Sequence, residues 1–578
     1  MSNEEYEKSE LYKLRHTASH VLAMAAKEYD PKAKLAIGPP VENGFYYDFE
    51  FSKPISESDL PELEKTMARI IKADYKVEHK EVPRRQAIAE AKAEGQDYKA
   101  ELMEALKDES LSHYGIDKFW DLCKGPHAKR TGEIKAFKLL NLAGAYWHGD
   151  ENQPMLTRIY GTAFGSQKAL DDYLEMVEEA KKRDHRRLGK ELGLFTILPA
   201  IGSGLPVWLP KGAALYRLLH DYVLNMELEA GYQHVITSEL GKEELYKTSG
   251  HLSHYLESMY PPIKIDNETF YLRPMNCPHH ISIYASDLHS YKQLPIRIAE
   301  FGEVFRLEKS GELSGLQRVR AFTTNDAHIF CTEAQIKSEF KDVIRLIDRV
   351  YKKLDIKDFT YRLSLHDDKN KEKYSDNLGL WERSEQILRE TLHEMKIDYV
   401  EAKDEAAFYG PKVDVQMKNV LGREETISTV QLDFYLPERF KLEYIDEKGQ
   451  KKQPVMIHRA LLGSMERFIG HYIEKTAGEF PLWLSPVQAK ILPISEKVNS
   501  YAKDVLHTLQ QGGWRAEIDE SAETLGKRIR NAEMEKIPYV LVVGEKEASN
   551  NSVTVRSRHT AEQPVVKLDD FVKDYIKN

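Results

Sequence analysis

Phe301-Gly-Glu-Val-Phe-Arg306-Leu-Glu308, the loop Ser310-Gly-Glu-Leu-Ser-Gly-Leu316 and Arg318-Val-Arg320-Ala-Phe322 follow one another within a single short stretch. Alternating apolar and polar residues on both sides of a Gly- and Ser-containing loop read as two strands. Strands joined by short connections pair antiparallel, because a parallel pair needs a crossover of a dozen or more residues. Each strand carries arginine. Guanidinium forks grip phosphate bidentately and stack on flat rings, so arginines facing one cavity suit a nucleotide triphosphate. Taken alone, such a hairpin is ordinary surface with solvated arginines. Gly463-Ser464-Met-Glu-Arg467-Phe adds another arginine at the start of an expected helix, and the three elements together favour the nucleotide.

Three further segments flank these motifs: Arg273-Pro-Met275-Asn-Cys277-Pro-His-His280, Asn325-Asp326-Ala-His328-Ile-Phe and Val455-Met-Ile-His458-Arg-Ala-Leu-Leu-Gly. One thiolate and two imidazoles, from Cys277, His328 and His458, make a three-ligand zinc set. Such a set leaves a fourth tetrahedral position for substrate, as catalytic zinc sites do.

Composition sets the frame. A chain of 578 residues with 41% hydrophobic content divides into roughly three or four domains by the length prior. No run approaches the ~20 apolar residues of a membrane span, and the acidic, polar first residues do not read as a signal peptide, so a cytoplasmic location with no membrane association is expected. Three cysteines, Cys123, Cys277 and Cys331, are too few for a disulfide framework. The net charge of −10 leaves nucleic acid open, because affinity follows local patches such as Lys181-Lys-Arg-Asp-His-Arg-Arg187.

Around the central sheet the rhythm changes twice. Helical spacing runs from Leu11 to Tyr29 and from Leu60 to Ala73, with a further amphipathic segment from Arg85 to Ala93; turns and short strands return between Lys118 and Phe164. Gln167 to Leu192 reads as one long charged helix. These patterns define an α+β unit with its connecting helix over 1–184. The strand-rich body spans 185–482, with strands such as Arg297 to Phe305 and Val430 to Tyr435 and a helix from Ala213 to Ala230. Strands and helices then alternate as βαβαβ from Ala489 to Val543, a separate α/β domain over 483–578. His16 and His20 sit four apart on the first helix and share one face. With the Cys123-Lys-Gly-Pro-His127 pair they suggest a second zinc site, whereas an i, i+4 histidine pair alone is commonly coincidence.

The Arg306-x-Glu308 strand pair and Gly463-Ser464-Met-Glu-Arg467 resemble motifs 2 and 3 of class II aminoacyl-tRNA synthetases. With Arg-Pro-Met-Asn-Cys-Pro, Asn-Asp-Ala-His-Ile-Phe-Cys and Met-Ile-His-Arg-Ala added, the chain resembles the threonyl-tRNA synthetase family from about Leu11 to its end. The resemblance implies an α+β multidomain protein: an antiparallel class II core, an N-terminal editing domain and a C-terminal α/β anticodon-binding domain. It begins at the editing domain, without the small ubiquitin-like domain of many relatives. It implies ATP-dependent joining of L-threonine to threonine tRNA in a homodimer, with one Zn2+ per chain in the core and Mg2+ accompanying ATP.

By the same resemblance Arg306, Arg318 and Arg467 bind ATP, Glu308 and Phe322 face the nucleotide, and Arg306, Arg467 and Lys412 serve the chemistry. Met275, Asp326, Tyr409 and Ser464 line the threonine pocket. A zinc that reads the threonine hydroxyl rejects valine, which has none, but serine differs by one methyl worth only about 1–3 kcal/mol. A correcting site is needed. The set His16, His20, Lys99, Asp121, Cys123 and His127 resembles the family's editing pocket, which hydrolyses seryl-tRNA, whether through a bound metal or through histidine general-base chemistry. Glu547, Arg556 and Arg558 are the expected anticodon contacts.

The chain departs from the family's strings at Thr324 and Thr426, where glutamine is usual, and at Ser238 in Thr237-Ser238-Glu-Leu-Gly, where a proline is usual. Two other readings use the same motifs: a non-catalytic RNA- or amino-acid-binding regulator, and a stand-alone editing hydrolase with an inert core.

Overall fold

The computed structural model describes residues 3–150, 152–371, 373–374 and 378–575. They form two compact units, Met1–Glu178 and Glu179–Asn578.

In the first unit the helix Glu10–Tyr29 starts where Ser9 accepts from the Tyr12 N–H, and Asp30 at its C-cap takes an extended backbone. Its small residues Ala18, Ala25 and Ala26 let it pack closely on Phe45, Tyr47 and Phe49 of the Gly44–Glu50 strand, all fully buried. That strand belongs to an antiparallel sheet with Lys34–Leu35, Met155–Phe164 and Ala136–Tyr146. A second antiparallel sheet, Val77–Pro83, Ser110–Ile116 and Phe119–Leu122, leads directly into Cys123.

The second unit is built on an eight-stranded sheet in the order Gln233–His234, Ile296–Phe305, Ala321–Cys331, Val455–Ser464, Glu424–Asp433, Lys412–Lys418, Phe359–Ser364, Tyr399–Ala402. Every pairing is antiparallel except the one at each edge. The strands Ile296–Phe305 and Ala321–Cys331 flank the arginine loop, as their alternation implies. The amphipathic helix Ile336–Lys353 covers one face with Phe340, Val343, Ile344, Ile347 and Val350.

Beyond it, Ala516–Ile518, Ala489–Pro493 and Tyr539–Val543 are parallel and interleaved with helices, the expected βαβαβ pattern. Two antiparallel strands, Ser552–Ser557 and Val565–Lys567, extend that sheet.

Two expected elements differ. The charged segment Gln167 to Leu192 is two helices, Gln167–Arg183 and His185–Glu191, because Asp184 leaves helical backbone (φ −49°, ψ 120°) to cap the second through the Arg186 N–H. The strand expected to reach Tyr435 stops at Asp433, whose Oδ1 accepts from the N–H groups of Tyr435 and Leu436 and so starts the short helix Tyr435–Arg439.

Candidate active site

The register of the central strands places His328 directly opposite His458, and Cys277 is the first residue of the helix Cys277–Ala285. The three donor atoms lie within 4.8 Å of one another and all three residues are buried. Hydrogen bonding fixes which nitrogens are free. Asp433 Oδ2 lies 2.8 Å from His458 Nε2, and a carboxylate can only accept, so that nitrogen carries the proton and Nδ1 keeps its lone pair.

A longer chain serves His328. Burial works to raise the Glu300 carboxyl, but His280, the Thr237 N–H and Arg273 outweigh it and hold it at about 2. The ionised Glu300 accepts from His280 Nε2 at 3.1 Å, and His280 Nδ1 then accepts from His328 Nδ1 at 2.7 Å. His328 Nε2 is left as a free lone pair. Burial, then His458 and His280, push the His328 pKa well below its ordinary value, keeping it neutral as a metal ligand must be.

Burial pushes the Cys277 thiol well up, and Asp326 and Asp433 add to the shift. A thiolate at this position therefore requires a cation beside it. Two imidazole lone pairs, each backed by ordered partners, and one sulfur fit zinc.

The set opens on a cavity of about 330 Å³ that also takes in Met275, Arg306, Asp326, Tyr409 and Lys412. Tyr409 stacks on His458 at 4.7 Å and donates to Gln431 Oε1 at 2.5 Å. Lys412 Nζ lies 2.8 Å from Asp414 Oδ2. Asn276 Nδ2 donates to Thr324 Oγ1 at 2.7 Å and to Asp326 Oδ2 at 2.8 Å, and Thr324 gives its hydroxyl to the same carboxylate oxygen. Thr324 thus braces Asp326. Thr426 accepts from Gln416 Nε2 at 2.7 Å, and Ser238 Oγ accepts from the Leu240 N–H.

The arginines gather at one side. Arg306 lies 5.1 Å from the Phe322 ring centre. Arg318 spends its fork on Glu308 at 2.7 Å and Glu312 at 2.8 Å. The Arg467 pKa is lowered, first by loss of water around it although its surface opens to solvent, then, against Glu425, by the charges of Arg306 and Arg318. Crowded cations of this kind suit a polyanion. Ser464 Oγ accepts from the Arg467 N–H and caps the helix Met465–Thr476.

In the first unit, a cavity of about 730 Å³ is lined by His16, His20, Lys99, Asp121 and Cys123. Asp121 Oδ1 meets Lys99 Nζ at 2.6 Å, and its Oδ2 accepts from Tyr47 Oη at 2.5 Å. Cys123 Sγ lies 3.1 Å from both His16 Nε2 and His127 Nε2. Burial lowers His16 to about 4, with the Pro126 carbonyl and Asp121 opposing, and lifts Cys123 to about 12. Neutral imidazoles next to a protonated thiol can accept protons from water.

Of the C-terminal candidates, Arg556 and Arg558 line one cavity of about 350 Å³ with Lys536 and Glu533. Arg558 donates to the Lys536 and Phe480 carbonyls. Glu547 lies off that lining, accepting from the Gly544 N–H and the Thr554 hydroxyl.

Sequence reading missed Asn276, His280, Glu300, Asp433 and Glu466. A signal existed: each interrupts an apolar or motif string with a polar residue. Burial lifts Glu466 to about 8, with Glu303 adding to the shift and two backbone N–H groups opposing it.

An antiparallel sheet carrying arginine-bearing strand and helix motifs beside a Cys/His/His set is the core of a class II aminoacyl-tRNA synthetase. The family described as tRNA synthetase class II core domain (G, H, P, S and T) matches residues 260–476. An anticodon binding domain matches 488–578, and the threonyl and alanyl tRNA synthetase second additional domain matches 111–160. The threonine–tRNA ligase of Geobacillus sp. (strain WCH70) is 51% identical over 561 residues, 97% of this chain and 87% of the relative. Threonine–tRNA ligase 1 of Bacillus subtilis (strain 168) is also 51% identical, over 562 residues, with the same coverage. The solved RNA binding domain of threonyl-tRNA synthetase from Cryptosporidium parvum Iowa II superimposes with a TM-score of 0.65 at 39% identity, covering 68% of this chain and 98% of that one. The chain belongs to the threonine–tRNA ligase family.

Proposed function

We propose that the protein joins L-threonine to threonine tRNA at the expense of ATP, through a threonyl-adenylate, and hydrolyses seryl-tRNA in its first unit. The observation that carries this reading is the convergence of Cys277, His328 and His458 on the cavity that also holds Arg306, Asp326 and Lys412. Zinc held by the three ligands would supply a Lewis acid that senses the amino group and hydroxyl of threonine. Asp326, braced by Asn276 and Thr324, faces the amino group. Tyr409 closes the pocket against His458.

Arg306, Arg318 and Arg467 hold the triphosphate, whose charge Mg2+ bound with ATP would partly neutralise, and Arg306 steadies the α-phosphate as the threonine carboxylate attacks it and pyrophosphate leaves. Phe322 and Glu308 serve the adenine end, Lys412 the developing adenylate, and Ser464 the threonine side. In the editing pocket His16, held neutral, takes the proton of the attacking water. Lys99 and Asp121 position it beside His20, Cys123 and His127.

The domains fall at 1–184, 185–482 and 483–578, with Glu547, Arg556 and Arg558 reading the anticodon. A homodimer is supported by Ile236, 99% exposed beside the two-residue edge strand Gln233–His234. Three free, buried cysteines support a cytoplasmic setting, and no helix among the described residues is long and apolar enough to cross a membrane.

Threonine-dependent exchange of pyrophosphate into ATP by zinc-replete protein tests the reading. Absence of exchange refutes it.

A further inference from the structure

His185 is a buried histidine outside the cavity, yet it joins two of the motifs. Its Nδ1 lies 2.6 Å from Glu474 Oε1, on the helix Met465–Thr476 that carries Arg467. Its Nε2 accepts from the Leu316 N–H at 3.0 Å, in the loop between Arg306 and Arg318. Both ring nitrogens are therefore in use, and the cluster of Asp184, His185 and Glu474 has no imidazole lone pair left for a metal.

The surroundings are shaped to this contact. Gly315 has φ 49°, and a Cβ there would lie 2.1 Å from His185 Nε2. A Cβ on Gly470 would come within 3.3 Å of Leu316 Cβ. Residue 317 continues the join, since Arg467 Nε donates to the Gln317 carbonyl at 3.1 Å. Arg318 comes next in the chain. The break at Asp184 that divides the two helices is what lets His185 turn its ring between the loop and the helix.

We propose that His185 is a positioning residue for the nucleotide: it fixes the loop bearing Arg318 to the helix bearing Arg467, so that Arg306 and Arg467 stand ready as one anion site with Arg318, paired with Glu308 and Glu312, beside them. The two nitrogens have separate tasks. Nε2 holds the loop through Leu316, and Nδ1 holds the ring through Glu474. Without Nε2 as acceptor the Leu316 N–H loses its side-chain partner among the described residues, and the loop must be reordered each time ATP binds. The inference rests on the proposed placement of ATP on these arginines.

Two near-isosteric variants separate the tasks. In His185→Gln the side-chain oxygen reaches the Nε2 position and still accepts from Leu316. In His185→Asn the amide nitrogen reaches only the Nδ1 position and still donates to Glu474. Threonine-dependent pyrophosphate exchange is measured for both, with KM for ATP and for threonine taken separately. His185→Asn should raise the ATP KM about five- to tenfold, the effect of losing one buried hydrogen bond. The Gln variant should stay within about threefold of wild type, with the threonine KM within about twofold in both. A role confined to anchoring the helix His185–Glu191 predicts the reverse order, with Asn rescuing and Gln failing. That order, equal effects, or a joint rise in both KM values overturns the proposal.

If His185→Asn does not fold, Gly315→Ala breaks the same loop contact from the other side without altering His185, since its Cβ would lie 2.1 Å from Nε2. It should reproduce the ATP-specific rise, and an unchanged ATP KM counts against the proposal. Wild-type protein without exchange refutes the assigned reaction instead, so the two failures are distinct.

Discussion

Replacing Asp433 by asparagine tests the proposed zinc site through an atom that never touches the metal. The carboxylate is fully buried and divides its work: Oδ1 accepts from the backbone N–H groups of Tyr435 at 2.7 Å and Leu436 at 2.9 Å, and Oδ2 accepts from His458 Nε2 at 2.8 Å. Asparagine can serve as acceptor on only one of these two sides. Its oxygen must stay on the helix start, where two donors converge, so its NH₂ group is turned toward His458. Two donors then face each other. The imidazole escapes the clash by moving its proton to Nδ1, the nitrogen that would bind zinc. Loss of such an outer partner lowers metal affinity about 10- to 100-fold, or roughly 1.4–2.7 kcal/mol. Competition against a chromophoric chelator of known zinc affinity measures the loss directly. The thermal midpoint should move little, because the helix start keeps both its bonds. Unchanged zinc affinity in a folded Asp433→Asn protein would refute the tautomer argument and with it the ligand role of His458 Nδ1.

Three other outcomes follow from the same geometry. Cys277→Ser should lose bound zinc and threonine-dependent exchange together, and a variant that keeps its zinc would move the site elsewhere. Lys99→Ala, which strips Asp121 of its 2.6 Å partner, should slow seryl-tRNA deacylation about a hundredfold or more while exchange is unchanged; a parallel fall in exchange would count against separate sites. Glu466 is held at about 8 when folded, above its ordinary 4.5, so the folded state binds this proton more tightly than the unfolded state does. Its stabilising contribution is complete below about pH 4.5 and is lost as pH rises through about 8. Glu466→Gln, which still accepts from the Thr323 N–H but cannot ionise, should therefore gain about 3–5 kcal/mol on wild type by about pH 9, read from denaturant midpoints. Parallel pH curves for the two proteins would show that the carboxyl titrates normally.

The ligands themselves were legible because a histidine inside an apolar strand such as Val-Met-Ile-His-Arg-Ala-Leu-Leu stands out against its period. Their partners also break apolar or motif strings, but which ligand each one meets was not legible. Asp433 meets His458 only because the register sets Gln431 opposite His458 and the chain turns two residues later. No local pattern encodes that pairing. Arg318 and Glu308 were read as separate nucleotide contacts; they are ten residues apart, and the turn of the hairpin brings them into an ion pair. The break at Asp184 was hidden for a similar reason. Helix propensity favours continuing through Lys-Arg-Asp-His-Arg-Arg, and the contacts that reward a break, Glu474 and Leu316, lie hundreds and more than a hundred residues away.

The two clusters of cysteine and histidine look alike in sequence, and their outer partners separate them. Around Cys277, carboxylates lie behind both imidazoles, Asp433 directly and Glu300 through His280, so each inward nitrogen is a bare lone pair. Around Cys123, the Pro126 carbonyl accepts a hydrogen bond from His16 Nδ1–H, while His20 Nδ1 is buried without a hydrogen-bond partner among the described residues. Zinc at ordinary bond lengths would hold sulfur and nitrogen about 3.6 Å apart in a tetrahedron. Cys123 Sγ stands 3.1 Å from two Nε2 atoms, the distance of a hydrogen bond rather than of a tetrahedral zinc pair, although one donor atom each from His16, His20, Cys123 and His127 still lies within 4.8 Å of the others. The single thiol proton can serve only one of the two Nε2 acceptors at a time, which leaves a lone pair on the other imidazole. On the proposed function, the first arrangement would hold the cation of a hydroxyl-reading synthesis site and the second would serve proton transfer in a hydrolytic correcting site.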